Sequence, residues 1–388
     1  MRTERRRLGA LAMLFAAAPA QALDVDLRLE GESRWFYNAA VAAWSPSVAA
    51  GAELFHEWHD GRERIVAQLF VREDLRDDSR SHADARELYY AQIGETAEVR
   101  IGLRHVFWGV AESRHLVDII NQSDFVEDLD NEIKLGQPML DAAFIGDLGT
   151  VQLFLMPYQR ARSFPGEDGH PQLPYPVAPG EARYASRRGQ HHLDYALRYE
   201  HSVGAWDIGL SWFDGTAREP QILPCLRRGS GFAGTEARAN CDLFSAIEIP
   251  QSPFPDLVTE LLQQAGLLPS DEAVRDALVA EIEANLVLVP YYERLRQIGV
   301  DAQALSGGWA WKLEAVYREA TGGHSAAAVA GFEYTFARFF DTGWDVGVLG
   351  ELLYDDRDYL LDGRYDHDAF VGARALLNDI AGTTLLGG

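Results

Sequence analysis

Cysteine is almost absent from this chain. Cys225 and Cys241 are the only two in 388 residues. Two thiols without a clustered His pair do not complete a zinc shell. In an exported chain, which meets an oxidising compartment, they are expected to pair as a disulfide closing the loop between them. Long apolar runs are missing too. Beyond the N-terminus nothing approaches the ~18 consecutive apolar residues of a membrane-spanning helix. Positive charge is scarce: 35 Lys and Arg stand against 59 Asp and Glu, a formal charge of -24. That balance argues against a nucleic-acid partner, which needs basic surface. No Gly-x-Ser-x-Gly elbow occurs. Gly229-Ser230-Gly231-Phe232-Ala233-Gly234 fits a dinucleotide pattern, but no strand–helix unit surrounds it. His56 and His59 sit three apart, so on a strand they point to opposite faces and cannot share a metal.

What is present begins with an export leader. Arg2, Arg5, Arg6 and Arg7 form a positive n-region, Leu8 to Ala18 an apolar run, and Ala20-Gln21-Ala22 a small-x-small cleavage site. The apolar run is too short to cross about 30 Å of hydrocarbon, so residues 1–22 are expected to be removed as a signal peptide. The leader carries four Arg and one Glu, which takes the remaining chain from -24 to -27. Such acidity fits an outer surface bridged to lipopolysaccharide by divalent cations, a lumen that favours cations, or simply well-solvated loops.

The rest of the chain repeats one pattern. Val25, Leu27 and Leu29 alternate with Asp26, Arg28 and Glu30; Val99, Ile101 and Leu103 with Glu98, Arg100 and Arg104; Trp309, Trp311 and Leu313 with Lys312 and Glu314. Period-two alternation is a strand signal. A β-sandwich or soluble barrel alternates in the same way, but the connections separate the possibilities. Tight turns at Asp60-Gly61, Gly94-Glu95, Asp147-Leu148-Gly149 and Ser202-Val203-Gly204 alternate strictly with long segments at 35–47, 73–85, 106–137 and 157–190. Short periplasmic turns and long outer loops mark an outer-membrane β-barrel. Aromatics gather near strand ends (Trp35, Phe36, Tyr37, Phe107, Trp108, Phe339, Phe340, Trp344), as interface girdles do.

The fold class expected is therefore all-β, a transmembrane antiparallel barrel. Strands are placed near 24–34, 48–58, 63–72, 86–93, 97–105, 138–146, 150–157, 191–201, 205–214, 291–305, 309–319, 326–339, 344–355 and 367–377, with a fifteenth starting near Thr383. The segment 291–305 is required by direction: the chain must return to the short-turn side before Trp309, with Ser306-Gly307-Gly308 as the turn. Single-chain bacterial barrels have an even strand number. The odd number, and the absence of a terminal aromatic, lead to the expectation that the full-length protein continues to sixteen or more strands.

Residues 215–290 are too long for a structureless loop. One helix is expected from Pro255-Asp256, with Leu257, Leu261 and Leu262 on one face. A second is expected to be capped by Ser270, presenting Val274, Leu278, Ile282 and Leu286 at helical spacing. The stripes read as the packing face of a helical hairpin, or as a lid over the barrel mouth.

Residues 100–140 stand apart from the other loops. Arg100 and Arg104 share the polar side of one strand. Trp108-Gly109 follows, then Glu112, Ser113 and Arg114, then Asp118-Ile119-Ile120-Asn121, then an acidic run of Asp124, Glu127, Asp128, Asp130 and Glu132. Charge mixed with apolar residues suits a loop folded into the lumen. The acidic run lacks the spacing of a calcium loop. The stretch Gly102–Asn121 resembles a family of proteobacterial porin-like outer-membrane proteins, largely of unknown function, whose strand ends in a Trp-Gly pair followed by Glu-Ser and an Asp-Ile-Asn-like run. The resemblance covers residues 85–145 and, more loosely, the later strands. It implies a large barrel and supplies no substrate.

Arg100, Arg104, Glu112, Arg114 and Asp118 are the candidate lumen constriction, since opposed charges across a narrow pore set selectivity. A salt-bridge clamp that pins the loop would use the same residues. The function expected is a passive channel for small hydrophilic solutes; the alternative is a closed-lumen accessory or binding protein working with a lipid or efflux transport system. No nucleophile–base constellation survives the face test, so no enzymatic activity, cofactor or metal is expected. The expected partners are outer-membrane lipid, lipopolysaccharide and a small-molecule solute; a homo-oligomer is compatible with the sequence. The expressed protein should fractionate with outer membranes and migrate differently on gels before and after heating; recovery as a soluble periplasmic species would contradict the barrel.

Overall fold

The computed structural model describes residues 23–36, 44–128, 132–170, 175–227, 239–241, 257–321, 323–357, 367–379 and 383–388. The leader, Tyr37, Asp130, the Gly229–Gly234 motif and Pro255-Asp256 lie outside the described residues. Twenty strands follow in chain order: β1 (Asp24–Trp35), β2 (Trp44–Trp58), β3 (Glu63–Asp74), β4 (His82–Ile93), β5 (Ala97–Arg104), β6 (Gln122–Ser123), β7 (Lys134–Leu135), β8 (Gln137–Gly146), β9 (Gly149–Met156), β10 (Arg183–Tyr184), β11 (Asp194–Val203), β12 (Trp206–Thr216), β13 (Gln221–Leu226), β14 (Leu286–Tyr292), β15 (Arg294–Ser306), β16 (Trp309–Ala320), β17 (Gly323–Phe336), β18 (Asp345–Asp355), β19 (His367–Leu376) and β20 (Thr384–Gly387). Fifteen of them form one sheet in the order β1-β2-β3-β4-β5-β8-β9-β11-β12-β15-β16-β17-β18-β19-β20. Each neighbouring pair is antiparallel. The strand required by chain direction is β15, paired to β12 on one side and β16 on the other.

Sidedness separates this sheet from a soluble sandwich. On β16 Trp311 and Tyr317 are each 50% exposed, while Glu314 on the opposite face is 0% exposed and Lys312 and Arg318 are buried with it. The same inversion recurs around the wall. Leu29, Leu69, Leu153, Leu210 and Leu352 face outward, and Arg72, Asp141, Arg198, Asp301 and Glu351 are buried inside. A soluble protein would leave the apolar face the larger cost; lipid removes it, because an apolar band belongs on the outside of a transmembrane barrel. The wall curves around one internal segment, residues 105–136, which touches strands from both halves of the sheet. Arg34 of β1 and Arg72 of β3 bond to Val126 and Glu127, and Glu314 of β16 and Glu351 of β18 bond to Val110 and Glu112.

At the long-loop end the chain builds a cap. β10, β14 and β13 form a small sheet, with β10 parallel and β13 antiparallel to the central β14. Helices α1 (Leu257–Gln264) and α2 (Glu272–Asn285) pack beside it. Leu257, Val258, Leu261 and Leu262 of α1 are buried together with Ile282, Leu286 and Leu226. The expected helical pair is there, with three corrections. Asp271, not Ser270, caps α2, accepting from the Val274 N–H at 3.0 Å. Val274 is 57% exposed, outside the buried cluster that Leu278, Val279 and Ile282 of α2 join. Leu286 belongs to β14, not to the helix. The small sheet itself was not expected: its strands are short, and β14 (LVLVPYY) has no alternation, being buried on nearly every residue. Cys225 and Cys241 form a disulfide across 16 residues, tying β13 to the bridge between Leu226 and Asn240.

Candidate functional site: the segment folded into the lumen

Residues 105–128 and 132–136 connect β5 to β8 and lie inside the barrel. Their apolar side chains dictate this. Trp108, Ala111, Leu116, Val117, Ile119 and Ile120 are buried against Met139, Phe154, Met156, Phe213, Leu295, Val316, Val329 and Leu353 of the inner wall. Each fully buried side chain of that size contributes about 1.5–3 kcal/mol, so the segment seats as a plug and does not stay in water. Its base is closed by Asn121, which accepts from the Val106 N–H at 2.9 Å and donates to the Arg104 and Leu135 carbonyls at 2.8 and 2.9 Å. In sequence this asparagine stood at the end of the Asp-Ile-Asn-like run, with no structural role assigned to it.

The plug is held by two wall carboxylates. Glu314 accepts from the N–H groups of Val110, Ala111 and Val117 at 2.7, 2.8 and 3.2 Å. Glu351 accepts from the N–H groups of Glu112 and Ser113 at 2.9 and 2.7 Å, and from the Ser113 hydroxyl. A loop crossing a barrel has no strand partner for its backbone, and buried N–H groups must find acceptors. The turn at Gly109 (φ 128°) brings it against Glu314, where an added Cβ would lie 2.6 Å from the carboxylate oxygen. Opposite, Arg72 donates to Glu127 at 2.9 and 3.0 Å, and Ser163 to Asp124 at 2.7 Å.

The five expected constriction residues do not meet in one ring. Arg100 and Arg104 both face Asp141 of β8, at 3.3 and 2.5 Å. Gln152 donates to the same carboxylate at 2.9 Å. Glu112 pairs with Lys312 at 2.5 Å. Arg114 stands 3.7 Å from Asp355 at the end of β18. Asp118 is 3.3 Å from Lys134; burial pushes its carboxyl above the usual range, with Lys134 opposing. Of the acidic run, Asp124 and Glu127 approach His82, but Arg86 also reaches both and Arg72 already bonds Glu127. These guanidinium groups supply the counter-charge a cation would bring.

Sequence inspection missed Glu314, Glu351 and Asp141. Each sits on the polar side of a strand, which is a signal, but the sequence does not mark which inward acid meets the plug and which meets a neighbouring arginine.

No family model matches the chain, and no curated relative matches it. Solved structures similar to it are outer-membrane proteins. They include an outer-membrane expressed OmpT of Vibrio cholerae (7% identity, 92% of this chain and 82% of that chain, TM-score 0.41). OprB of Pseudomonas putida gives 12% identity, 91% and 84% coverage and a TM-score of 0.39. An anion-selective porin from Comamonas acidovorans gives 8%, 91%, 82% and 0.38. What defines the class here is the register and sidedness of the chain's own strands: an antiparallel transmembrane β-barrel with a loop folded into its lumen.

Two outcomes follow. Glu314→Ala leaves three plug N–H groups without an acceptor, at a cost of about 3 kcal/mol or more. The plug should become open to protease while the barrel keeps its heat-modifiable migration, and Glu314→Gln should be milder. Unchanged protection would show that the apolar seat alone holds the plug. The second concerns His115, 2.9 Å from Glu132. Burial alone would lower the imidazole, but the Glu132 hydrogen bond and the charges of Glu132, Glu314 and Asp118 raise it above its ordinary 6.5. The hydrogen bond to His115 holds Glu132 below its ordinary 4.5. A raised base loses its contribution as pH climbs through its folded value, and a lowered acid loses its own as pH falls. The pair therefore holds the plug fully between about pH 4.5 and 6.5. Protease protection of the plug, assayed after equilibration across this range, should fall above it, and Glu132→Gln should flatten the profile.

Proposed function

We propose that this chain is an outer-membrane channel for small hydrophilic solutes, which pass the plug on its polar side. The observation that carries this is a pair of cavities. One, of about 190 Å³, lies between the plug and the wall at the long-loop end. The other, of about 410 Å³, lies against the inner faces of β1 to β3. Glu132 and Lys134 line both, so both spaces border the plug's polar edge. Charged groups at such a narrowing select ions. The constriction residues enter through this geometry. Arg100 and Arg104 offset Asp141 on the inner wall, while Glu112, Arg114 and Asp118 set the charge along the plug. Residues 1–22 are read as the signal peptide and the remainder as the barrel, with the cap in 215–290 on the outer side; outer-membrane lipid and lipopolysaccharide are the surroundings.

The apolar seating of the plug along β8 to β18 favours a second reading, a closed-lumen accessory protein. Planar-bilayer recording separates them. The channel reading expects small, steady unit conductance, because only the polar side of the plug is open. Replacing Arg100 and Arg104 with Ala leaves Asp141 without its cations and should shift the reversal potential in a salt gradient toward cation preference. No conductance from the wild-type chain would leave the closed-lumen protein standing.

A further inference from the structure

The cavity at the long-loop end is lined by five arginines and Lys134, with Asp118, Glu132, Glu219 and Glu293 also on its wall. Arg114 of the plug, Arg318 of β16 and Arg357 after β18 all line it. All three approach one atom, Oδ2 of Asp355, at 3.7, 3.8 and 2.7 Å respectively. Arg357 takes that oxygen as a hydrogen bond and also holds Glu219 at 2.8 Å. Arg318 is left with less. Its Nε donates to Gln297 at 2.8 Å and its Nη2 reaches the Leu116 carbonyl at 3.5 Å. Its Nη1 is buried and has no hydrogen-bond partner, although the residue is only 8% exposed. A buried charged donor without a hydrogen bond is costly, and the cavity beside it is where an acceptor would be received.

The lining indicates which acceptor. Leu116, Ile119 and Leu295 are buried hydrophobic residues on the same cavity. A guanidinium fork matches a planar carboxylate, and the apolar wall suits a carbon body that inorganic phosphate lacks. The setting also makes the site selective. In a chain of formal charge -24 the overall field repels anions, so an anion is held only where guanidinium groups gather.

We propose that this cavity is a solute-binding site for a small organic monocarboxylate, its carboxylate on Arg318 and its carbon body against Leu116, Ile119 and Leu295. The proposal names a solute class for the channel, and it rests on that reading for the solute's way in.

Isothermal titration of the full chain in detergent micelles tests it, with butyrate, butanamide and inorganic phosphate as probes. Butyrate should bind; butanamide, of the same shape without charge, should not. Arg318→Gln should weaken butyrate by about tenfold to a hundredfold, the worth of a charge-assisted bond. Should that variant fail to fold, Ala320→Leu fills the cavity without changing a charge and should abolish binding. No butyrate heat from the wild type overturns the proposal. So does butanamide binding as well as butyrate, phosphate binding more tightly, or butyrate binding that survives both variants; arginines that only clamp the plug give the first of these results. Bilayer recording keeps the two readings apart. Conductance without butyrate binding overturns the site and leaves the channel; butyrate binding without conductance overturns the channel and leaves a closed-lumen binding site.

Discussion

The lumen is organised by carboxylates of the wall that accept backbone N–H groups of the plug. Glu314 takes three and Glu351 takes two. A strand in the wall satisfies its backbone through its neighbours; a segment crossing the interior has none. Acid side chains of the wall are the acceptors. The plug's place, the closeness of Gly109 to the wall and the position of Arg114 near Asp355 all depend on this anchoring.

Around that anchor the interior divides into two kinds of surface. Along β8 to β18 the plug meets apolar side chains, Phe154, Phe213, Val316 and Val329 among them. Against β1 to β4 it meets charge: Arg34, Arg72, Arg80, Glu32 and Glu127 form one linked set. An apolar seat excludes water and fixes the plug. A charged side leaves room for water and ions, and the larger cavity lies there. A fixed plug and a wet passage beside it are therefore compatible in one lumen.

Charge is less evenly matched at the long-loop end, beside β16 and β18. Most inward arginines have a carboxylate in bonding reach, as Arg198 has Asp301 and Arg218 has Asp194. At the long-loop end three guanidinium groups share Asp355. Buried pairs that are fully matched hold a structure together, whereas an under-supplied donor beside a cavity is where a solute gains by binding.

The wall was legible in the sequence, even β15, because alternation is local: each residue's side follows from its neighbour two positions away, and lipid outside imposes the same rule on every strand. The wall strands were placed on that ground, with chain direction and the alternation of short and long connections completing the order. The short strands of the cap were not legible, because β14 is buried without alternation and takes its partners from β10 and β13, far apart in the chain. Nor were the partners of the lumen charges. Arg100 and Arg104 could be placed on one face, but Asp141 opposite them is set by the register of β5 on β8. Glu314 meets Val110 across 204 residues, a contact fixed by how far the wall curves and how deep the plug seats. Sequence determined which side chains face inward; only the closed packing of wall, plug and cap decided which of them meet.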